Sequence, residues 1–156
     1  MANIRQYAYF SLDSDTIRPE SIAERIGLEP SSVSIAGSRH SGPPPVPRRH
    51  SWKLESGVSE KSRLDDHFEA LLARLSSHTD RIQEIVATGE VSGCLTVVRY
   101  FHSGNEEAEL PSGYEHDGFE RLCGQHPLVG FGLEPAMIAF LAKTGSFVDF
   151  DEYCDE

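Results

Sequence analysis

Apolar residues recur along this chain at two spacings, and together they predict six strands and four helices. Ile4 to Leu12 is dense in β-branched and aromatic residues and stops at the polar turn Asp13-Ser14-Asp15, which predicts a first strand. A helix follows. Pro19 suits its first position, Ile22, Ala23 and Ile26 form its apolar face, and Gly27 supplies a left-handed stop. Ser32 to Ala36 and His50 to Ser56 read as the next two strands, the second with Trp52 and Leu54 on one face. Leu64, Phe68, Leu71, Leu72 and Leu75 recur at helical spacing behind a capping pair of Ser62 and Asp65. A shorter helix is expected after Asp80, with Ile82, Ile85 and Val86 inward and Gly89 at its end. Val91 to Phe101 is nearly continuous in apolar residues around Leu95, Val97 and Val98, the pattern of a strand covered on both sides in the middle of a sheet. Leu128 to Leu133 predicts another strand. Pro135 then opens a helix with Met137, Ile138, Leu141 and Ala142 inward, Gly145 ends it, and Phe147 to Tyr153 is a final strand.

Strand, proline-started helix, glycine and strand thus occur at both ends of the chain, a weak internal repeat. If the two helices are equivalent, Ile22, Ile26, Ile138 and Leu141 are buried together on the same face of one sheet. The expected fold class is α+β: a mainly antiparallel sheet with helices on one face, ferredoxin-like elements and a terminal strand-helix-strand extension. A length of 156 residues suits a single domain over 1–156, large enough to bury its own core. Two segments interrupt the pattern. One is a proline-rich basic loop at 37–50, and the other is an acidic irregular segment at 102–127 with one helical turn near Phe119 to Cys123.

Composition narrows the function classes. An apolar fraction of 38% and a charged fraction of 25% describe a folded globular chain. There is no signal-like apolar run at the start and no stretch near the about 20 apolar residues of a membrane span, so a cytoplasmic protein is expected. Cys94, Cys123 and Cys154 are odd in number and irregularly spaced, which suits reduced thiols, with Cys94 in the core and Cys154 in the tail. The net charge of −11 argues against nucleic acid as a partner. Acid is concentrated late in the chain. After Phe101, twelve Asp or Glu face only Arg121 and Lys143, a surface whose complement is a basic protein, although solubility alone also explains acidity.

The basic exception is the stretch from Pro30 to Leu54, which has no carboxylate and carries Arg39, Arg48, Arg49 and Lys53 with His40 and His50 around Pro43 to Pro47. Arg39, Arg48 and Arg49 beside the Trp52 ring could fork onto phosphates or carboxylates, with prolines limiting the entropy lost on binding. The competing reading is a solvated connection between strands, with Trp52 a core residue of the alternating strand. His116, Cys123 and His126 are zinc-type donors, but only one short-spaced pair is present and no fourth ligand is evident. Asp149, Asp151, Glu152, Asp155 and Glu156 offer oxygens to a hard cation, or equally form one solvated face and a tail. No nucleophile elbow, phosphate loop, paired-histidine metalloprotease helix or dinucleotide fingerprint is present, so no enzyme activity, catalytic residue, cofactor or metal is expected.

Four sets of residues carry a resemblance to a known family: the opening Tyr7-Ala8-Tyr9-Phe10, the turn Ile26-Gly27-Leu28-Glu29-Pro30, Gly37 followed at a distance by Trp52-Lys53-Leu54, and the late Leu141, Gly145, Asp149-Phe150-Asp151 and Tyr153. The chain resembles the bacterial domains of unknown function grouped as family 4279. Glu152, inserted before Tyr153, departs from that family's usual close. The resemblance implies a small cytosolic bacterial protein and, by analogy with similar domains, an immunity protein of a toxin system. The leading expectation is accordingly a non-enzymatic binding protein, an immunity-type inhibitor of a basic toxin, whose Glu106, Glu107, Glu109, Glu115 and Asp117 mimic an anionic substrate. The alternative is a small-anion or nucleotide sensor built on Arg39, Arg48, Arg49 and Trp52.

Overall fold

The computed structural model describes residues 5–102 and 131–155, with side chains over 5–101 and 131–153. Five strands, β1 (Arg5–Ser14), β2 (Ser32–Ser34), β3 (His50–Glu55), β4 (Ser92–His102) and β5 (Phe147–Asp155), form one sheet in the order β2-β3-β1-β4-β5. β1 pairs antiparallel with β3 and β4, β2 pairs antiparallel with β3, and β5 runs parallel to β4. The helices are α1 (Pro19–Ile26), α2 (Leu64–Leu75), α3 (Thr79–Ala87) and α4 (Pro135–Thr144). A single 3₁₀ turn, Ser76–His78, joins α2 to α3. Taken alone, β1 to β4 have the ferredoxin-like β-α-β-β-α-β connection, with α2 and α3 filling the second helical place. α4 and β5 extend it beyond β4. The fold is therefore α+β as the pattern predicts, with β1 rather than β4 at the centre of the sheet.

The alternation along β1 creates two different faces. Ala8, Phe10 and Leu12 point one way, and their cross-strand partners Leu54, Trp52, Val97 and Leu95 point with them. All four helices cover this side, placing Ile22, Ile26, Phe68, Leu71, Ile82, Phe140 and Leu141 in one cluster with the strands. Complete burial of each such side chain contributes about 1.5–3 kcal/mol. Helix-side packing also dictates one glycine: a Cβ on Gly93 would run into Ser146 Oγ and press on the Phe10 ring, so β4 approaches α4's exit only without a side chain there.

Helix boundaries follow local chemistry. α1 opens on Pro19 and closes on Gly27 at φ 73°, whose N–H donates to the Ala23 carbonyl, and α4 repeats this with Pro135 and Gly145 at φ 68°. α2 differs from the expected Ser62–Asp65 cap. Its N-cap is Arg63, whose backbone N–H donates to the Asp66 carboxylate at 3.2 Å, while Asp65 is held by the Arg63 guanidinium. Asp80 does not cap α3 either, because the 3₁₀ turn feeds that helix directly and leaves Asp80 in its first turn, paired with Lys143 of α4.

The repeat holds for the helix, its closing glycine and the strand that follows, and fails in the inward stripe of α4 and in the opening strand at 131–133. Both proline-started helices lie on the same face, and Ile22, Ile26 and Leu141 are buried there, but Ile138 is 52% exposed and Ala142 is exposed as well. Met137, Phe140, Leu141 and Thr144 form the inward stripe instead. Phe140 decides the rotation: its ring meets Phe10 edge-on at 5.3 Å, which turns Ile138 outward. Residues 131–133 of the expected strand Leu128 to Leu133 are not in a strand, so β4 supplies the partner that α4 returns to. Ala36 falls outside β2 and donates its N–H to His50 Nδ1 at 3.1 Å.

Candidate functional site on the helix-free face of the sheet

The opposite face, which no helix among the described residues covers and which is called helix-free in that sense, is built by the alternate residues of the same strands. Arg5, Tyr7, Tyr9, Ser11 and Asp13 of β1 stand beside Lys53 of β3, Cys94, Thr96, Val98 and Tyr100 of β4, and Phe147, Asp149, Asp151 and Tyr153 of β5. The aromatic members interact. Tyr100 and Tyr153 stack with centroids 5.0 Å apart and planes 18° apart, Arg5 lies over Tyr100 at 5.1 Å, and Lys53 lies over Tyr9 at 4.1 Å. Arg5 also forks onto Glu60, Nε to Oε2 at 2.6 Å and Nη2 to Oε1 at 3.1 Å, and this bond holds the Glu60 carboxyl below its ordinary range. The Tyr7 phenol is pushed up to about 12 by burial and next by the neighbouring Tyr100 phenol, so it stays a hydrogen-bond donor at any physiological pH.

A cavity of about 390 Å³ opens on this face where β1 and β3 meet the turn at 56–60, lined by Tyr7, Tyr9, Lys53, Glu55, Ser56 and Glu60 among others. A fully buried histidine holds that turn. His67 Nε2 bonds the Ser59 carbonyl at 3.1 Å, which requires an N–H there, so Nδ1 is the acceptor for the Ser56 hydroxyl at 2.6 Å. Burial lowers the His67 pKa, consistent with this neutral tautomer. Cys94, also on this face, is a buried thiol whose pKa is raised by burial, the state of an unreactive cysteine.

The residues expected to form an anion site are not brought together. Trp52 is 0% exposed on the helix side, its indole N–H donating to the Leu28 carbonyl at 3.2 Å, so its ring cannot wall a surface site. Arg49 is engaged by Asp15 and Ser92. Arg39 and Arg48 stay exposed on a hairpin closed by bonds between His40 and Val46 and from Gly37 N–H to the Pro47 carbonyl. The loop at 37–50 is thus an ordered connection. The terminal carboxylates divide as strand parity requires: Asp149 and Asp151 share the helix-free face, whereas Glu152 points to the other side and accepts from Arg99 Nη1 at 3.1 Å. Among the described residues no three His, Cys, Asp or Glu converge as a metal would need. Glu106, Glu107, Glu109, Glu115 and Asp117, with His116, Cys123 and His126, the turn near Phe119 and residues 128–130, lie outside the described residues, as do the side chains of Cys154, Asp155 and Glu156.

A family model described as Domain of unknown function (DUF4279) matches residues 3–155. The chain belongs to that family. No curated protein and no solved structure matches it. The match spans all five strands and four helices, and the features that carry the DUF4279 resemblance take structural positions: Tyr7 and Tyr9 on the helix-free face, Phe10 and Trp52 in the core, Gly27 and Gly145 at helix ends. No helix among the described residues is long and apolar enough to cross a membrane.

Tyr7, Tyr9, Tyr100, Tyr153 and Arg5 were not singled out as a site by sequence pattern. The signal was present. With Ala8, Phe10 and Leu12 assigned inward, period two sends Tyr7 and Tyr9 to the opposite face, where tyrosines suit a half-wet surface.

Proposed function

We propose that this chain is a non-enzymatic binding protein whose helix-free sheet face, at its β5 side, engages a basic protein partner. The observation that carries the reading is the pairing of exposed aromatics with carboxylates on one strand: Phe147 is 55% and Tyr153 48% exposed, flanking Asp149 and Asp151. Aromatic side chains with an adjacent like-signed charge set are the material of a binding patch, the rings supplying buried area and the carboxylates orientation and speed. The specific form is immunity-type inhibition. Such a patch covers the cationic surface of a toxin that handles an anionic substrate, and the acids Glu106, Glu107 and Glu109 add to the steering field.

The test is growth rescue by co-expression with the product of the adjacent gene, with gel filtration of the purified pair. Wild-type chain is expected to protect and co-elute, and a folded Asp149→Asn, Asp151→Asn, Tyr153→Ala variant to do neither. Association should also slow markedly between 0.1 and 0.5 M salt, as the Debye length contracts from about 10 Å. Absence of both complex and protection removes the reading. The anion-sensor alternative keeps only Arg39 and Arg48 of its four residues and gains no observation of its own.

A further inference from the structure

The two edges of the sheet are unlike. β2 is three residues long, too short to template another strand, whereas β5 runs for nine residues, about 30 Å at the usual rise per residue. Native sheets blunt long edges with charged side chains, lysine above all, with proline or with a bulge. β5 has no proline and no lysine, and its pairing with β4 runs unbroken from Phe147 to Asp155. Among the described residues nothing pairs with its outer side.

What β5 does carry is acid. Asp149 and Asp151 lie on one face and Glu152 on the other, so a second copy pairing antiparallel in the registers centred on Phe150 or Asp151 sets carboxylate against carboxylate. The edge is thus closed to itself and open to a strand of opposite charge. Phe150, 50% exposed between the two aspartates in sequence, offers an apolar contact on the helix side.

We propose that a basic extended segment of the partner adds to the outer edge of β5 as a sixth strand. This deepens the binding reading above and rests on it. Main-chain bonds hold the added strand, cations along one of its faces meet Asp149 and Asp151, and an apolar residue on its other face meets Phe150. The segment recognised is therefore one that alternates basic and apolar residues. A lone helix or a globular cationic patch would use the face and leave the edge unpaired.

The experiment uses the full chain, ¹⁵N-labelled, and a capped nine-residue peptide alternating Lys and Val as the probe. Two further peptides carry backbone N-methyl groups at all odd or all even positions, which block one hydrogen-bonding edge each without altering charge. The parent peptide should bind and shift the amides of β5, one methylated peptide should bind within about twofold of it, and the other should lose at least tenfold. Equal behaviour of the two methylated peptides, in either direction, overturns strand addition, because only one peptide edge can face β5. Asp149→Asn, Asp151→Asn chain separates this from the parent reading. If that variant loses the peptide while both methylated peptides bind, the charged face stands and the sixth strand falls; if it binds as wild type does, or the parent peptide does not bind at all, both fall.

Discussion

His67 joins α2 to the turn that shapes the cavity, and replacing it with phenylalanine keeps most of its volume while removing both ring hydrogen bonds. The cost follows from what each abandoned partner can still do. Ser59's carbonyl continues to accept from the Ser62 N–H at 2.9 Å, and Ser56 Oγ continues to accept from the Val58 N–H at 3.2 Å, so neither group is stranded. Two lost bonds at about 0.5–1.5 kcal/mol each give about 1–3 kcal/mol for His67→Phe at pH 7.5. The pH dependence is the sharper part. Burial depresses the folded-state pKa of His67 below its ordinary 6.5, so below pH 6.5 the unfolded chain binds a proton that the folded one refuses. Wild-type stability from this group is therefore full above pH 6.5 and falls as the pH drops toward the folded-state pKa, by at most about 1.4 kcal/mol per pH unit. The variant lacks this contribution. Urea unfolding followed by the fluorescence of buried Trp52, at pH 7.5 and pH 5.5, should show the gap between wild type and variant narrowing at the lower pH. A gap independent of pH would refute the neutral, doubly bonded imidazole.

The rotation of α4 predicts that Phe140→Ala costs about 3–5 kcal/mol, through loss of the contact with Phe10 and the cavity left behind, whereas Ile138→Ala on the exposed side costs within about 0.5 kcal/mol. Thermal or urea unfolding that ranks them the other way would restore the stripe expected from sequence. For Tyr7, pushed up to about 12, ultraviolet titration should find one more phenol still protonated at pH 11 in wild type than in Tyr7→Phe. Its linkage has the opposite sign to that of His67: the unfolded phenol loses its proton near pH 10, so stability falls as the pH rises from 10 to 12 and this fall is smaller in Tyr7→Phe.

Most of the fold was legible because the strongest signals were local. Pro19 with Gly27 and Pro135 with Gly145 mark helix ends through backbone restrictions that need no tertiary partner. Leu64, Phe68, Leu71 and Leu75 repeat at helical spacing whatever they pack on. The misses share a cause. The inward stripe of α4 depends on Phe140 reaching Phe10, more than a hundred residues earlier in the chain, and a window containing Met137, Ile138, Phe140 and Leu141 is apolar nearly all round, so periodicity alone allows either rotation. The start of α3 was misplaced because the 3₁₀ turn leaves no break for a capping residue to mark.

Charge was less legible than periodicity, because a sequence gives the number of charges and a sheet decides where they point. Arg39, Arg48 and Arg49 fall within one short loop of the chain, yet Arg49 is claimed by Asp15 and Trp52 has turned into the core. Asp149, Asp151 and Glu152 read as one acidic run, yet parity gives two of them to the helix-free face and sends the third to Arg99. The same parity assembles Arg5, Tyr7, Tyr9, Tyr100 and Tyr153 from three strands that lie far apart in sequence. A binding face of this kind has no contiguous motif to find. It becomes visible only when the register of β1, β4 and β5 is known, and that register is fixed from the other side of the sheet, by Phe10, Leu12, Leu95 and Val97 seeking the helices. The core residues thus determine which side chains the binding face displays, so a one-residue slip of β5 against β4 would carry Asp149 and Asp151 to the helix side and bring Val148 and Phe150 to the helix-free face in their place.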